Sequence, residues 1–516
     1  VPGFHVENFG CRSARADGEA VSDRLRAAGL CERQPSEADV VVVNTCSVTA
    51  EADREARAYI RRAHRVNPEA RIVVTGCYAQ RAPGELAALA GVSAVVGNSH
   101  KALAPQIAHR LAEGRDSDSD ANLGVIDPTI LPIQSLLSNQ PTHAPIFVDD
   151  RFAHSFLEDA HLVPGPQTRP NLKIQEGCGN RCTFCVIPQT RGSSRSLSAE
   201  AVLRQVAGFV TAGGNELVLS GINLGRWGRD LPHDAGPPSF GASCETVGTA
   251  TPSLAALVRR IFAETDLPRL RLSSIEPMDW NDEMIALTAE FGGTRLSRHA
   301  HLPLQSGSDA VLRRMHRRYR PWHYAEKVAA LIRAAGPELT LGADVMVGFP
   351  GETDFEFEET LELVRALPFG YLHLFPFSPR PGTRAWALHA ASPVSLVIVD
   401  ERMAALRILA GEKTRIHREQ FVGRTLDAIT LHTQESLASR GRTQALTENY
   451  LPVEIDGALP ANRLVHLRVT GMNAVRTLEA TVETDRADQY AATAMSVSAK
   501  SVPLNSSSSP LSLASA

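Results

Sequence analysis

Apolar positions in the first hundred residues come in short runs, Phe4 to Asn8, Asp39 to Asn44 and Arg71 to Thr75, divided by stretches of helical period, Ala14 to Ala28 and Glu51 to Arg65. Strand-length runs alternating with helices predict a parallel sheet covered by helices, a Rossmann- or flavodoxin-like α/β domain. From residue 171 to about 380 the alternation resumes with six strand candidates: Leu172 to Gln175, Glu216 to Ser220, Arg269 to Ser273, His299 to Leu304, Leu339 to Val347 and Tyr371 to Phe377. Helical stretches such as Ala199 to Thr211, Ser253 to Ala263 and Phe355 to Ala366 separate them. Six such units predict an incomplete barrel, (β/α)6, with its chemistry at the strand C-termini. After a helical segment from Ile398 to Gln420 the period shortens to five runs, Arg424 to Thr430, Ser439 to Leu446, Leu451 to Ile455, Leu464 to Thr470 and Thr477 to Val482. These predict a small closed β-barrel of OB-like type.

The expected division is therefore 1–114 as the first domain, 115–170 as a linker, 171–418 as the barrel, 419–483 as the small β-barrel and 484–516 as a tail. The linker carries Asp116-Ser117-Asp118-Ser119-Asp120 and several prolines, which interrupt any period. Residues 228–252, rich in Gly, Pro and Ser, read as a surface insertion, and Ser496 to Ala516, Ser-rich and free of aromatics, as disordered.

Length and charge add limits. The 516 residues exceed one ordinary domain, and a net charge of -4 gives no global attraction to nucleic acid, so any RNA contact must come from local patches. No apolar run approaches the roughly eighteen residues of a membrane span, and no leader of charged-then-apolar type is read. The chain is expected in the cytoplasm, where cysteines are more often ligands than bridges.

The eight cysteines divide into three, three and two. Cys178, Cys182 and Cys185 form a Cys-x-x-x-Cys-x-x-Cys run just after the strand Leu172 to Gln175. Soft thiolates at this density suit zinc or an iron-sulfur cluster. A structural zinc would want a fourth Cys or His, and none follows within thirty residues. Cys11, Cys46 and Cys77, 35 and 31 positions apart, each follow one of the first three strands. Strand C-termini line the crevice of an open parallel sheet, so these thiols are expected to converge on one edge, although each alone would read as a buried bystander. Cys31 and Cys244 lack such placement and are assigned no ligand role.

The central run, with Phe184 before its last cysteine, resembles the signature of radical S-adenosylmethionine (SAM) enzymes. Combined with the earlier thiol set, and with Gly10-Cys11-Arg12, Asn44-Thr45-Cys46-Ser47-Val48-Thr49, Gly76-Cys77-Tyr78-Ala79-Gln80 and Ile187-Pro188-Gln189-Thr190-Arg191-Gly192, it resembles the methylthiotransferase family over almost the whole chain. Two positions depart from the family pattern: Ala14 stands where Asn is usual and Gln189 where an aromatic is usual. The resemblance implies two 4Fe-4S clusters, held by Cys11, Cys46 and Cys77 and by Cys178, Cys182 and Cys185, and a C-terminal TRAM domain. It implies that the central cluster splits SAM to abstract hydrogen from the substrate while the first carries the sulfur that is methylated, the chemistry residing in the cofactors.

Candidates for the SAM pocket are Phe184, Gly221, Asn223, Glu276 and Gln305, on the cluster loop or at strand ends facing it. Ser274, Ser306 and Gly348 share those strand ends, and Pro350-Gly351-Glu352-Thr353 reads as a turn with Thr353 capping a helix. Arginines at 191, 195, 317 and 318 are expected as phosphate contacts beside the site; a solvated charged face is the plainer reading of such a cluster. Chemistry on a base carbon needs an unstacked base, which a tRNA anticodon loop supplies. Arg191-Gly192-Ser193-Ser194-Arg195-Ser196 and Ser273-Ser274-Ile275-Glu276-Pro277 resemble the branch acting on carbon 2 of N6-threonylcarbamoyladenosine. N6-isopentenyladenosine, a ribosomal protein side chain and non-catalytic RNA binding are the alternatives. The resemblance further implies an electron donor such as flavodoxin or ferredoxin and a sulfur donor, with no membrane partner.

Overall fold

The computed structural model describes residues 1–114, 144–152, 162, 168–232 and 252–485. Most of the linker, most of the 228–252 insertion, Cys244 and nearly all of the 484–516 tail lie outside the described residues. Val1–Gln420 with Glu448–Leu451 form one compact unit, and Phe421–Thr447 with the described residues from Pro452 on form another.

The first sheet contains β1 (Gly3–Asn8), β2 (Cys31–Glu32), β3 (Val40–Thr45), β4 (Arg71–Gly76), β5 (Val92–Gly97) and β6 (Ile146–Phe147), ordered β2-β1-β3-β4-β5-β6. Every pairing in it is parallel. The valines explain why it is buried on both sides. Val41, Val43 and Val74 pack under α2 (Ala50–Val66) with Ala56 and Ile60, while Val40, Val42 and Val73 pack under α1 (Arg12–Ala27) with Val21 and Leu25. Thr49 caps α2 by accepting from the Ala52 amide. Sequence reading missed β2, β5 and β6; the first and last are only two residues long.

The central part carries β7 (Asn171–Glu176), β8 (Arg195–Ser196), β9 (Glu216–Gly221), β10 (Arg269–Leu272), β11 (His299–His301), β12 (Thr340–Val347) and β13 (Phe369–Pro376). All six expected strands are present, and the added β8 pairs antiparallel with β7. The strands form two sheets, β10-β9-β7-β8 and β11-β12-β13, bridged where the Ile275 amide donates to His301 O at 3.0 Å. Along each strand alternate residues point outward to the helices, as with Leu217 and Leu219 or Leu341, Ala343 and Val345, and these make the largest core. Thr353 and Glu356 form a capping box at the start of the helix Asp354–Ala366, as the turn reading expected.

In the second unit, β14 (Thr425–Thr430), β15 (Arg442–Thr447), β16 (Pro452–Asp456), β17 (Leu464–Met472) and β18 (Leu478–Asp485) close into a five-stranded barrel ordered β14-β15-β16-β18-β17. Its pairs are antiparallel except β16 with β18. Ala428, Val453, Val465, Leu467 and Ala480 are buried.

Candidate active site

Asn8, Asn44 and Thr75 occupy one register row across β1, β3 and β4. Just past this row come Cys11 at the start of α1, Cys46 after β3, and Cys77 as the first residue of a short helix, Cys77–Arg81. Two glycines let the loops approach. Gly10 has φ +104° and a Cβ there would lie 2.7 Å from Cys46 Sγ; Gly76 has φ +99° and a Cβ there would lie 2.3 Å from Thr45 O. Cys46 and Cys77 are buried and Cys11 is exposed. Burial, with Cys77 and Cys11 beside it, pushes the Cys46 thiol up to about 12. Such a thiol keeps its proton until a metal displaces it. Cys31 is exposed on the edge strand β2.

The second thiol set lies on the loop after β7. A cavity of about 400 Å³ is lined by Cys178, Cys182 and Cys185 together with Asn180, Gly382 and Arg384. Burial pushes Cys185 up to about 12 and also raises Cys178. Donors face these sulfurs: Asn180 N lies 3.4 Å and Asn223 Nδ2 3.6 Å from Cys178 Sγ, and Arg317 Nη1 lies 3.4 Å from Cys182 Sγ. Arg317 in turn grips Glu276 through two bonds of 3.0 and 2.8 Å from Nη2. Among the described residues no three His, Cys, Asp or Glu side chains are gathered closely enough to hold a lone metal ion.

Between the two sets runs a buried ionic network. Arg191 donates from Nε to Cys77 Sγ at 3.3 Å, and from Nη1 to Glu176 at 2.6 Å, Asp17 at 3.1 Å and Ser13 at 3.3 Å. Lys101 reaches Glu176 at 2.6 Å and Asp17 at 3.0 Å, and Lys173 bonds the same two carboxylates. A separate joint holds Asp53 of α2 against Arg81 at 2.8 Å and Arg380, beyond β13, at 2.7 Å.

Residues 3–97 match the family model described as "Uncharacterized protein family UPF0004", and residues 172–364 match "Radical SAM superfamily". The chain is 34% identical to the threonylcarbamoyladenosine tRNA methylthiotransferase MtaB of Bacillus subtilis, over 88% of this chain and 90% of that protein. The chain belongs to the radical SAM methylthiotransferase family. MtaB of Aquifex aeolicus is 31% identical over 90% of this chain and 99% of its own. The tRNA-2-methylthio-N(6)-dimethylallyladenosine synthase of Erythrobacter litoralis is 33% identical over 83% and 86%.

As a member of this family the chain is an enzyme of tRNA modification that uses SAM and a 4Fe-4S cluster, and its closed C-terminal barrel is the TRAM domain. The residues fit these groups. Three thiols share the cavity with N–H donors directed at their sulfurs, as cluster ligation requires. The Asn223 and Gln305 side-chain oxygens are buried without a hydrogen-bond partner among the described residues, which suits acceptors for a polar ligand. Gln305 also holds φ +65°, an uncommon conformation for a residue with a Cβ, four residues beyond β11 and bridged to Val345 of β12.

The remaining candidates fall as follows. Phe184 packs edge-on against Phe349, ring centroids 6.5 Å apart. At Gly221 a Cβ would come within 2.9 Å of Gln175 Cβ, so the glycine is needed for the strand to pass β7. Gln175 also accepts from the Asn223 amide at 2.7 Å, fixing that loop. Gln189 is exposed and donates to Gly382 O at 2.8 Å. The four arginines divide. Arg318 is exposed, and Arg195 is half-buried over the Phe152 ring. Arg191 and Arg317 are corrected: at 1% and 7% exposure, with their guanidinium groups engaged by carboxylates and thiols, they are not phosphate contacts in this conformation.

Sequence reading also missed Asp17, Lys101, Lys173 and Glu176. A signal existed in Lys173 and Glu176, charges inside an apolar strand, where an unpaired charge is rarely buried. The barrel's inner face was missed as well. His299 and His301 alternate on β11, and Tyr371 and His373 on β13; His299 Nε2 lies 2.8 Å from the Tyr371 hydroxyl.

Proposed function

We propose that the protein transfers a methylthio group to carbon 2 of N6-threonylcarbamoyladenosine, 3′ of the anticodon in tRNA. The observation that carries this choice is the segment Ser273-Ser274-Ile275-Glu276-Pro277 after β10, which resembles that branch and contains the partner of Arg317. The names of the Bacillus and Aquifex relatives agree with it. Because the Erythrobacter relative at similar identity is named for dimethylallyladenosine, the isopentenyl nucleoside is the second reading.

On this reading Cys11, Cys46 and Cys77 hold an auxiliary 4Fe-4S cluster, and Cys178, Cys182 and Cys185 hold the one that binds SAM. When bound, the two clusters supply SAM cleavage and the sulfur to be transferred. The chain's own residues bind and orient. Asn223 and Gln305 accept hydrogen bonds from SAM, Glu276 is held in place by Arg317, and Phe184 with Gly221 gives the ligand an aromatic wall and a close backbone. Arg195 and Arg318 contact tRNA phosphates; Arg318→Ala should lower the salt dependence of tRNA binding by about one charge. Residues 1–114, 171–418 and 419–483 act as sulfur-donating, SAM-cleaving and tRNA-holding parts, with an external electron donor of flavodoxin or ferredoxin type and an external sulfur source, in the cytoplasm.

The test is deletion of the gene in its host followed by mass spectrometry of tRNA nucleosides. Loss of the methylthio form of threonylcarbamoyladenosine is expected. Loss of the methylthio-isopentenyl nucleoside instead moves the assignment to the second reading, and unchanged tRNA with a lost methylthio group on a ribosomal protein rejects both.

A further inference from the structure

Arg191 is fully buried, yet its partners do not use all of its donors. Asp17, Glu176 and Ser13 all bond Nη1, and Cys77 Sγ bonds Nε. Nη2 is buried and has no hydrogen-bond partner among the described residues. In the planar guanidinium fork Nε and Nη2 share one edge. The edge turned toward Cys77 therefore has one donor on the thiol and a second left for something beside it. Cys77 receives another N–H as well, from Asn98 Nδ2 at 3.3 Å, and Asn98 is itself held by donating to Thr190 O at 2.8 Å.

The charge balance points the same way. Among the described residues the ion pairs around Arg191 join three cations, Arg191, Lys101 and Lys173, to two carboxylates, Asp17 and Glu176, so neither carboxylate belongs to Arg191 alone. A buried guanidinium that shares its carboxylates in this way is costly without a further anion nearby. Cys77 is the group on the edge of Arg191 that meets neither carboxylate.

We propose that Arg191 is a positioning residue for the cluster held by Cys11, Cys46 and Cys77: Nε fixes the Cys77 thiolate, Nη2 donates to the inorganic core, and the guanidinium charge favours the reduced cluster. This rests on the reading that those three cysteines bind a cluster. Hydrogen bonds to cluster sulfurs and net positive charge stabilise the more negative, reduced form and so raise the reduction potential. Arg317 stands in a comparable relation to Cys182, but there Nη2 is taken up by Glu276.

The test uses the full chain with Cys178, Cys182 and Cys185 changed to Ala, leaving only the first cluster. Its midpoint potential is measured by anaerobic titration followed by electron paramagnetic resonance, with iron content determined in parallel. Arg191→Met at unchanged iron content should lower the reduced-to-oxidised ratio at the parent midpoint about tenfold, or about 59 mV for a one-electron couple. Arg191→Lys, which returns the charge without the fork, should recover part of that shift. Asn98→Ala, which takes away the other donor to Cys77, should move the midpoint in the same direction and carries the test if the Arg191 variants do not fold. An unchanged midpoint in a folded, iron-loaded variant overturns the proposal. Absence of iron from the parent itself overturns the cluster reading, and this role of Arg191 with it.

Discussion

Lys101 Nζ lies 2.6 Å from Glu176 Oε2, and neither side chain is more than 3% exposed. Lys101 comes just after β5 of the first sheet, whereas Glu176 ends β7 and directly precedes the loop that bears Cys178. The pair therefore fastens the part carrying Cys77 to the part carrying the second thiol set. Burial would raise the Glu176 carboxyl, but Arg191, Lys101 and Lys173 hold it well below the ordinary carboxylate range. Lys101 is pushed by burial down to about 8 against the pull of Asp17 and Glu176.

Glu176→Gln is then expected to cost about 3–5 kcal/mol, because it leaves three buried cations facing one carboxylate, Asp17, instead of two. Urea unfolding of the variant should show a lower midpoint at nearly unchanged slope. A midpoint equal to that of the unsubstituted protein would show the network to be dispensable.

Iron content separates the two thiol sets. Anaerobically reconstituted protein should hold about eight irons if each set carries a four-iron cluster. Changing Cys178, Cys182 and Cys185 to Ala should halve the iron and abolish SAM cleavage. Changing Cys11, Cys46 and Cys77 should also halve it but leave 5′-deoxyadenosine formation, and four irons in the unsubstituted protein would reject the two-cluster reading.

The thiol sets were legible because strand ends in a parallel sheet share an edge, so the position of Cys11, Cys46 and Cys77 after successive apolar runs carried three-dimensional information. Arg191 was not legible. Its burial depends on Asp17, 174 positions away, and a run of arginines looks the same in sequence whether its members face water or each other's carboxylates. The strand Val92–Gly97 has the apolar composition of its neighbours and so was legible in principle, whereas the two-residue strands at the sheet edges are too short to leave any period. Gln305 was chosen for its place at a strand end; its positive φ and unpartnered oxygen could come only from coordinates.

Gln305→Ala tests that oxygen directly. Alanine keeps the Cβ, so the strain of the left-handed backbone stays and only the side-chain acceptor is lost. One hydrogen bond of about 0.5–1.5 kcal/mol predicts a roughly twofold to thirteenfold weaker SAM affinity by equilibrium dialysis of the reconstituted enzyme. Unaltered affinity and cleavage would remove Gln305 from the pocket.

The last expectation concerns acid stability and His417, on the long helix Leu396–Glu419. The ring is 7% exposed and packs against Gly370, where a Cβ would come within 2.8 Å of Cδ2. Gln420 Nε2, a donor only, lies 2.8 Å from Nδ1, so Nδ1 accepts and Nε2 carries the proton toward Thr340 Oγ1 at 2.9 Å. This arrangement requires the neutral ring. Burial first, and the Arg418 charge second, push His417 from 6.5 down to about 4. Above pH 6.5 neither the folded nor the unfolded chain protonates it, and its contribution to stability is constant. As pH falls from about 6.5 to 4 the unfolded chain takes up a proton that the folded one refuses, so stability is lost at about 1.4 kcal/mol per pH unit, roughly 3 kcal/mol in all. His417→Gln, which does not titrate, should lose that slope. The measurement is the difference in unfolding free energy between the variant and the unsubstituted protein across pH 4 to 8, which cancels the other titrating groups. A difference that stays flat through pH 6.5 to 4 would mean that His417 is protonated in the folded state as readily as in the unfolded one.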